Sequence, residues 1–421
     1  VRLTAEPLEA SFAQAWAALD RRLLPNSARP IVVALSGGGD SVALMLLAAE
    51  WAARHRRPLV ALTVDHRLNP QSGLWTEACR RLAATTGAAF EALSWTEPKP
   101  QQGLPAAARA ARHRLLADAA RKHGAGVLLM GHTADDVLEA RLMRREGSST
   151  PEPAEWAPSP AWPQGRGLFL LRPLLAVRRA AIRQRLQARG ESWIEDPANA
   201  DPRFARSRVR PNVAGLPAPS TTSPATLGVA HQVEEIAPAC LSISRAAIRS
   251  APIDQVLRLA GLASVCAGGG DRLPSSASLA AAAKALRGSA SAVLSLAGAR
   301  IEADACQVRF VREAGERARG GLRSLQLAPG ACEVWDGRFE VRSNSAVEVR
   351  ALRGVASKLS PQARRALGRL PPACRPALPV FASVGDEIAC PSLEVHPAFS
   401  VRSLVGERFA AAAGLVLRES D

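Results

Sequence analysis

Six consecutive residues, Ser36-Gly37-Gly38-Gly39-Asp40-Ser41, set three glycines between hydroxyls and a carboxylate, after one apolar run and before another. Three glycines let a backbone turn tightly and approach a phosphate closely. If a helix opens here, its first N–H groups and the positive end of its dipole favour an anion. Ser36 and Ser41 add hydroxyl donors, so residues 36–41 form a candidate phosphate-binding set. No Lys follows the glycines, which excludes the Gly-rich loop of motor and switch nucleotidases. Asp40 next to a phosphate would repel it unless a cation lies between them. Mg²⁺, held by one or two carboxylates and by phosphate oxygens, solves that problem. Asp40 also suits a helix cap, and the two roles are compatible.

A second cluster, Gly131-His132-Thr133-Ala134-Asp135-Asp136-Val137-Leu138-Glu139, follows the apolar run Val127–Met130. On a helix, Asp136 and Glu139 lie three apart and Asp135 and Glu139 four apart, so they share a face. By itself such an acidic first turn is an ordinary solvated helix start. Combined with the upstream loop, it makes Asp40, Asp136 and Glu139 the candidate catalytic acids, with Asp40 and Asp136 the candidate Mg²⁺ ligands. The acids either hold the metal or orient and deprotonate an incoming amine. Arg109 and Arg112, three apart, are placed to meet phosphates of ATP or RNA, although a solvated basic face has the same spacing. His66 and His132 follow strand candidates, and neither receives a role.

The elements that must position these residues alternate. Strand patterns at Ile31–Leu35, Leu59–Val64, Phe90–Trp95 and Val127–Met130 are separated by helical patterns at Val42–His55, Thr76–Thr86 and Leu104–Lys122. A further helix is expected at Thr133–Arg145 and a basic one at Arg178–Arg189. Strands alternating with helices imply an α/β fold with a parallel sheet covered by helices. Ligands of such sheets bind beyond the carboxyl ends of the strands, where residues 36–41, 65–66 and 131–132 fall. Residues 147–167 read as a loop, and residues 211–226, rich in Pro, Ser and Thr, as a linker. The expected domains are 1–215 (nucleotide-binding and catalytic), 216–320 (mainly helical) and 321–421 (mixed, with strands).

Composition sets the outer limits. At 421 residues the chain exceeds one compact core, and 47% hydrophobic residues argue for a folded protein. The formal charge is +16, from 54 Lys+Arg against 38 Asp+Glu, and only four of the basic residues are Lys. Arginine binds phosphate through a planar fork, so an Arg-dominated surface suits RNA. Bias toward Ala and Arg in a GC-rich genome explains the same composition. Both the first 215 residues and the remainder are basic. Seven scattered cysteines without a C-x-x-C pair argue against a zinc ribbon, an iron–sulfur cluster and a disulfide framework, and they fit a cytoplasmic protein. No signal peptide and no apolar run of membrane-spanning length is expected.

Across residues 31–210 the chain resembles the tRNA(Ile)-lysidine synthetases, enzymes of the PP-loop ATP pyrophosphatase superfamily. Residues 36–41 match the SGGxDS signature. Val64-Asp65-His66 with Ser72, Ala108–Arg112, Gly131–Glu139, Arg172-Pro173-Leu174-Leu175 and Glu195–Asn199 match later family segments in order. Phe204–Arg208 resembles the basic stretch that closes the catalytic domain, which makes Arg206 and Arg208 candidate RNA contacts. Arg67, Asn69, His113, Thr133 and Ala140 depart from the usual residues at their positions. The resemblance implies ATP and Mg²⁺ as cofactors and free L-lysine and an isoleucine tRNA with a CAU anticodon as partners. It also implies a two-step reaction: adenylation of the wobble cytidine at carbon 2, then displacement of AMP by the lysine ε-amine. A homodimer stays open. The alternatives are a thiolating PP-loop enzyme, which would call for a catalytic cysteine pair or cluster, and a non-catalytic RNA-binding protein with a decayed ATP fold.

Overall fold

The computed structural model describes residues 12–148, 151–197, 205–213, 216, 217, 219, 226–317, 320–383 and 388–420. The chain divides into two compact units: residues 1–225 together with 416–421, and residues 226–415.

The first unit is built on a six-stranded sheet. Its strands are β1 (Ile31–Ala34), β2 (Leu59–Asp65), β3 (Ala89–Ser94), β4 (Val127–Leu129), β5 (Trp156–Pro158) and β6 (Phe169–Leu171), in the order β3-β2-β1-β4-β6-β5. All neighbours are parallel except the β5–β6 pair. The central strands are apolar on both faces, which is what a parallel sheet covered on both sides requires. Ile31 and Val33 face one core, and Val32 faces the other. The first core is filled by helices α1 (Ala13–Arg22) and α2 (Gly39–Arg54), through Trp16, Leu19, Leu44 and Trp51. The opposite core takes Leu116, Ala117 and Ala120 from α4 (Leu104–Lys122). Helices α3 (Ser72–Thr85), α5 (Ala134–Arg145), α6 (Arg179–Ala188) and the short α7 (Ala205–Val209) complete the unit. Fully burying one Leu or Val side chain contributes roughly 1.5–3 kcal/mol, so the two cores hold the strand ends in register.

The four expected parallel strands are present, as are the expected helices, with ends shifted by a few residues. The stretch 147–167, expected to be a loop, contains the antiparallel edge strand β5, whose Trp156 stacks on Phe169 of the neighbouring strand at 4.7 Å. Three residues bracketed by Pro and Ser carry no period long enough to betray a strand. Pairing with β6 is what makes it one.

In the second unit, β7 (Glu234–Ala237), β8 (Cys240–Ser244), β9 (Ala292–Leu296), β10 (Ala299–Ala303) and β11 (Gln307–Arg312) form a five-stranded antiparallel sheet. Helices α8 (Arg245–Ser250), α9 (Ile253–Gly268) and α10 (Ser276–Arg287) accompany it. Residues 230–320, where helical patterns dominate the sequence, thus also carry a sheet. Its strands show only half-alternating burial, and β9 alternates partly buried and exposed residues. Smaller antiparallel sheets of four and three strands follow. They include β12 (Phe339–Ser343) and β13 (Val347–Ala351), within the region expected to carry strands, and share one apolar core with the five-stranded sheet.

Candidate active site

β1 pairs with β2 on one side and β4 on the other, so the strand order reverses at β1/β4. Chain leaving β1 becomes the Gly loop, and chain leaving β4 becomes the acidic turn. Their meeting there is the arrangement in which open α/β sheets bind ligands. A Cβ added at Gly131 would lie 3.1 Å from the Asp40 carbonyl carbon and oxygen and 3.2 Å from the Ser41 Cα. These contacts are with backbone, so a side chain here would push the two motifs apart by a few tenths of an ångström.

The Gly loop is ordered from inside and from outside. Ser36 Oγ donates to Ser41 Oγ (3.1 Å), and Ser41 Oγ donates to the Gly38 carbonyl (2.8 Å). Gly38 caps α2 without a side chain, which leaves the N–H groups of the first turn without a side-chain acceptor, beside the cleft that Gly38, Gly39 and Asp40 line. From outside, the Ile194 N–H donates to the Gly37 carbonyl (2.9 Å). A Cβ at Gly37, where φ is +81°, would strike Ile194 Cδ1 at 2.3 Å, and a Cβ at Gly39 would rest 3.5 Å from the Trp193 indole. Gly37 therefore makes room for Ile194, a role beyond phosphate approach, while a Cβ at Gly39 would make only ordinary contact with Trp193.

The acidic turn begins with a reciprocal cap. Asp136 Oδ2 accepts from the Thr133 N–H (2.8 Å) and from Thr133 Oγ1 (2.9 Å), so Thr133 serves as the helix cap. Asp135 accepts from the Arg179 backbone N–H (2.8 Å) and pairs with Arg178. One guanidinium joins the rest. Arg179 donates through Nε to Asp40 (2.9 Å), through Nη2 to Asp136 (3.3 Å) and through Nη1 to Glu139 (3.1 Å). Glu139, 0% exposed, accepts from Arg210 Nε as well (3.1 Å). Burial pushes the Asp40 carboxyl above its ordinary pKa, Arg179 opposes this, and the neighbouring Asp136 charge adds to the rise. Burial likewise opposes the Arg179 charge, but Asp136, Asp40 and Glu139 outweigh it and hold the guanidinium above its ordinary value.

These groups border a cleft of about 570 Å³ that includes Ser36, Gly38, Gly39, Asp40, Ser41, Asp136, Arg179 and Arg210. Arg112 and both histidines of the strand ends, His66 and His132, line it too. Burial lowers the pKa of His66, reinforced by Arg112 and Lys99 against Asp65. Burial also lowers that of His132, opposed by Asp136 and reinforced by Arg172, whose Nε donates to His132 Nδ1 (3.2 Å). In both rings burial favours the neutral form. Arg109 is close enough for its charge to bear on His132 and Arg172. Arg208 is exposed on α7. The side chain of Arg206 and residues 198–204, including Asn199 and Phe204, lie outside the described residues, as does much of the linker 211–226. The sequence assigns no site role to Arg172, Arg178, Arg179 or Arg210. Arg172 enters only through the family segment Arg172–Leu175 and Arg178 and Arg179 only through the basic helix, and a surplus of Arg in 172–210 looks the same whether it meets solvent, RNA or acids.

Two hard carboxylates, Asp40 and Asp136, border the cleft beside the phosphate loop, and each burdens the other with like charge. That donor set fits Mg²⁺. Among the described residues, no helix is long and apolar enough to cross a membrane.

Residues 8–216 match the ATP_bind_3 family, a PP-loop domain, so fold and site together define an ATP-using protein of the PP-loop class. The chain is 50% identical to the tRNA(Ile)-lysidine synthase of Caulobacter vibrioides over 97% of its own length and 98% of that protein. It is 45% identical to the synthase of Hyphomonas neptunium over 48% of this chain and 55% of that one, and 37% identical to that of Brucella ovis over 74% of each. The chain belongs to the tRNA(Ile)-lysidine synthase family.

Proposed function

We propose that the chain is an ATP-dependent ligase that attaches lysine to carbon 2 of the wobble cytidine in an isoleucine tRNA, in two steps. The observation that carries this reading is the junction of phosphate loop and acidic turn at one cleft, closed by Gly131 and bridged by Arg179. In the first step the cytidine C2 oxygen attacks the α-phosphorus of ATP, and pyrophosphate leaves. The loop N–H groups and the Ser36 hydroxyl hold the departing phosphates. Ala34, Leu62, Val64, Met130 and Trp75 give the cleft apolar walls for the adenine. In the second step the lysine ε-amine attacks C2, and AMP departs with the former C2 oxygen. Free lysine is cationic at neutral pH, with an ordinary pKa of about 10.4, so it must lose a proton first. Asp136, which lines the cleft, is the carboxylate we assign to bind the ammonium and take that proton.

Asp40 and Asp136 would hold Mg²⁺, which supplies charge neutralisation to the triphosphate when bound. Glu139 is a positioning residue that acts through Arg179 and Arg210. Arg112, and Arg109 and Arg208 farther out, supply positive charge for RNA phosphates. The thiolation alternative lacks its nucleophile here. Cys79 is the one cysteine of the first unit; it is buried, and burial raises its pKa. Reduced cysteines and the tRNA substrate suit the cytoplasm.

The test is incubation of the full chain with ATP, labelled lysine and unmodified isoleucine tRNA. Label in the RNA, with one AMP and one pyrophosphate released per lysine, is expected. Pyrophosphate release without label would mean another nucleophile and would refute the lysine assignment.

A further inference from the structure

Arg179 uses every nitrogen of its guanidinium on the acids of the cleft. The usual buried arginine pairs its fork with one carboxylate. Here Nε meets Asp40 of the phosphate loop, while Nη1 and Nη2 meet Glu139 and Asp136 of the acidic turn. The side chain is 14% exposed and borders the cleft with Asp40 and Asp136. Its backbone is pinned separately, by the N–H bond to Asp135. The contested atoms are specific. Asp136 Oδ2 accepts from Thr133 N–H, Thr133 Oγ1 and Arg179 Nη2, which saturates that oxygen. The oxygen Asp40 gives to Arg179 is also Oδ2. A divalent cation drawn to Asp40 and Asp136 therefore meets one saturated carboxylate oxygen, that of Asp136, and a fixed positive charge beside both acids. Arg178 on Asp135 and Arg210 on Glu139 add to that charge from the neighbouring segments, and Arg183 bears on Asp40 from the next turn of α6.

We propose that Arg179 is a positioning residue that competes with the divalent cation for Asp40 and Asp136, so that the protein takes up the metal together with ATP and not ahead of it. This rests on the reading of Asp40 and Asp136 as metal ligands. Without nucleotide, the guanidinium keeps the acids satisfied and the cation affinity low. The triphosphate offers Arg179 a second anion within the same cleft. Its side chain then releases the two aspartates while its backbone N–H keeps helix α6 on Asp135. Metal and nucleotide binding become coupled through one side chain, and each favours the other.

The test measures Mn²⁺ binding to the full chain without ATP or RNA, by the paramagnetic resonance signal of free Mn²⁺. Arg179→Gln removes the competing charge and keeps a polar side chain; it should bind Mn²⁺ at least about tenfold more tightly than the unsubstituted protein. Arg179→Lys keeps the charge but loses the fork, and should fall between the two. Arg183→Gln is the control for loss of any nearby charge: Arg183 is 46% exposed and screened, so affinity should change by less than about threefold. Should Arg179→Gln fail to show a cooperative melting transition, Arg179→Lys decides, and affinity no tighter than that of the unsubstituted protein overturns the proposal. Equal affinity for the unsubstituted protein and Arg179→Gln, or equal gains from Arg179→Gln and Arg183→Gln, overturns it as well. No binding to any form at millimolar Mn²⁺ overturns the metal role of Asp40 and Asp136 along with it.

Discussion

Glu139 shows how much one buried carboxylate governs. It is sealed from solvent and joins Arg179 to Arg210. Glu139→Gln keeps the shape and removes the charge, so both guanidiniums lose an ionic partner. Charge-assisted hydrogen bonds of this kind contribute about 1.5–3 kcal/mol each, so pyrophosphate release should fall on the order of tenfold to 100-fold. Single-turnover assays that follow pyrophosphate and lysine incorporation together check this. A variant that releases pyrophosphate normally but incorporates no lysine would show that Glu139 meets the amine directly. His113 makes a different kind of prediction. It is 5% exposed, and burial, reinforced by Arg112, Arg109 and Arg172, pushes its pKa down to about 3. A histidine neutral in the folded chain and titrating near 6.5 when unfolded gives stability that is complete above pH 6.5 and lost as pH falls toward 3. Between pH 7 and pH 5 that loss is about 2 kcal/mol. His113→Leu should shrink the pH dependence of unfolding by about this amount, measured as the difference between denaturation curves at the two pH values. An unchanged difference would mean that His113 is protonated within the fold.

At the scale of elements, the Gly loop is clasped by the segment after α6. Gly37→Ala places a Cβ 2.3 Å from Ile194 Cδ1 on a backbone at φ +81°. Two costs add: the collision, and about 1–2 kcal/mol for a left-handed non-glycine residue. Ile194→Val deletes the colliding methyl, so the double variant should recover the first cost and keep the second. A double-mutant cycle on unfolding stability and on ATP affinity reads this directly. Purely additive effects would mean that Ile194 does not constrain the loop. Gly39→Ala, with its nearest contact at 3.5 Å, should be far milder.

At the scale of the whole molecule, the last residues return to the first unit. Glu419 receives both ends of the Arg57 guanidinium (3.0 Å each), at 1% and 0% side-chain exposure, and also accepts from the Leu24 N–H. The Glu419 N–H donates to the Arg22 carbonyl, and Trp156 Nε1 donates to the Val416 carbonyl. Arg57 stands just before β2 and Arg29, a further carbonyl partner, just before β1, so the clasp lies at the amino ends of these strands, opposite the cleft at their carboxyl ends. Glu419→Ala would leave Arg57 buried with only carbonyl partners. A cost of about 3 kcal/mol is expected, with little change in ATP affinity. Seven of the eight tryptophans lie in the first unit, so their fluorescence during urea unfolding reports this loss. Unaltered stability would mean that the tail rests on the unit without bracing it.

Local sequence determined the alternating elements, the phosphate loop and the acidic turn, because each is written in neighbouring residues. Residues 31–35 and 127–130 are apolar on every position, as a doubly covered strand requires. Glycines and hydroxyls bunch at the first helix start, and Asp135, Asp136 and Glu139 fall on one helical face. The order of those motifs also sufficed to show the family resemblance. What joins them is long-range, and no local pattern encodes it. Arg179 meets Asp40 across 139 positions of chain, Gly131 abuts the backbone of Asp40 and Ser41, and Glu419 reaches Arg57 across 362. An arginine's sequence environment is alike whether it faces water, phosphate or a buried acid. Only the packing of the strands, which brings α2, α5 and α6 to one cleft, decided which arginines meet the acids.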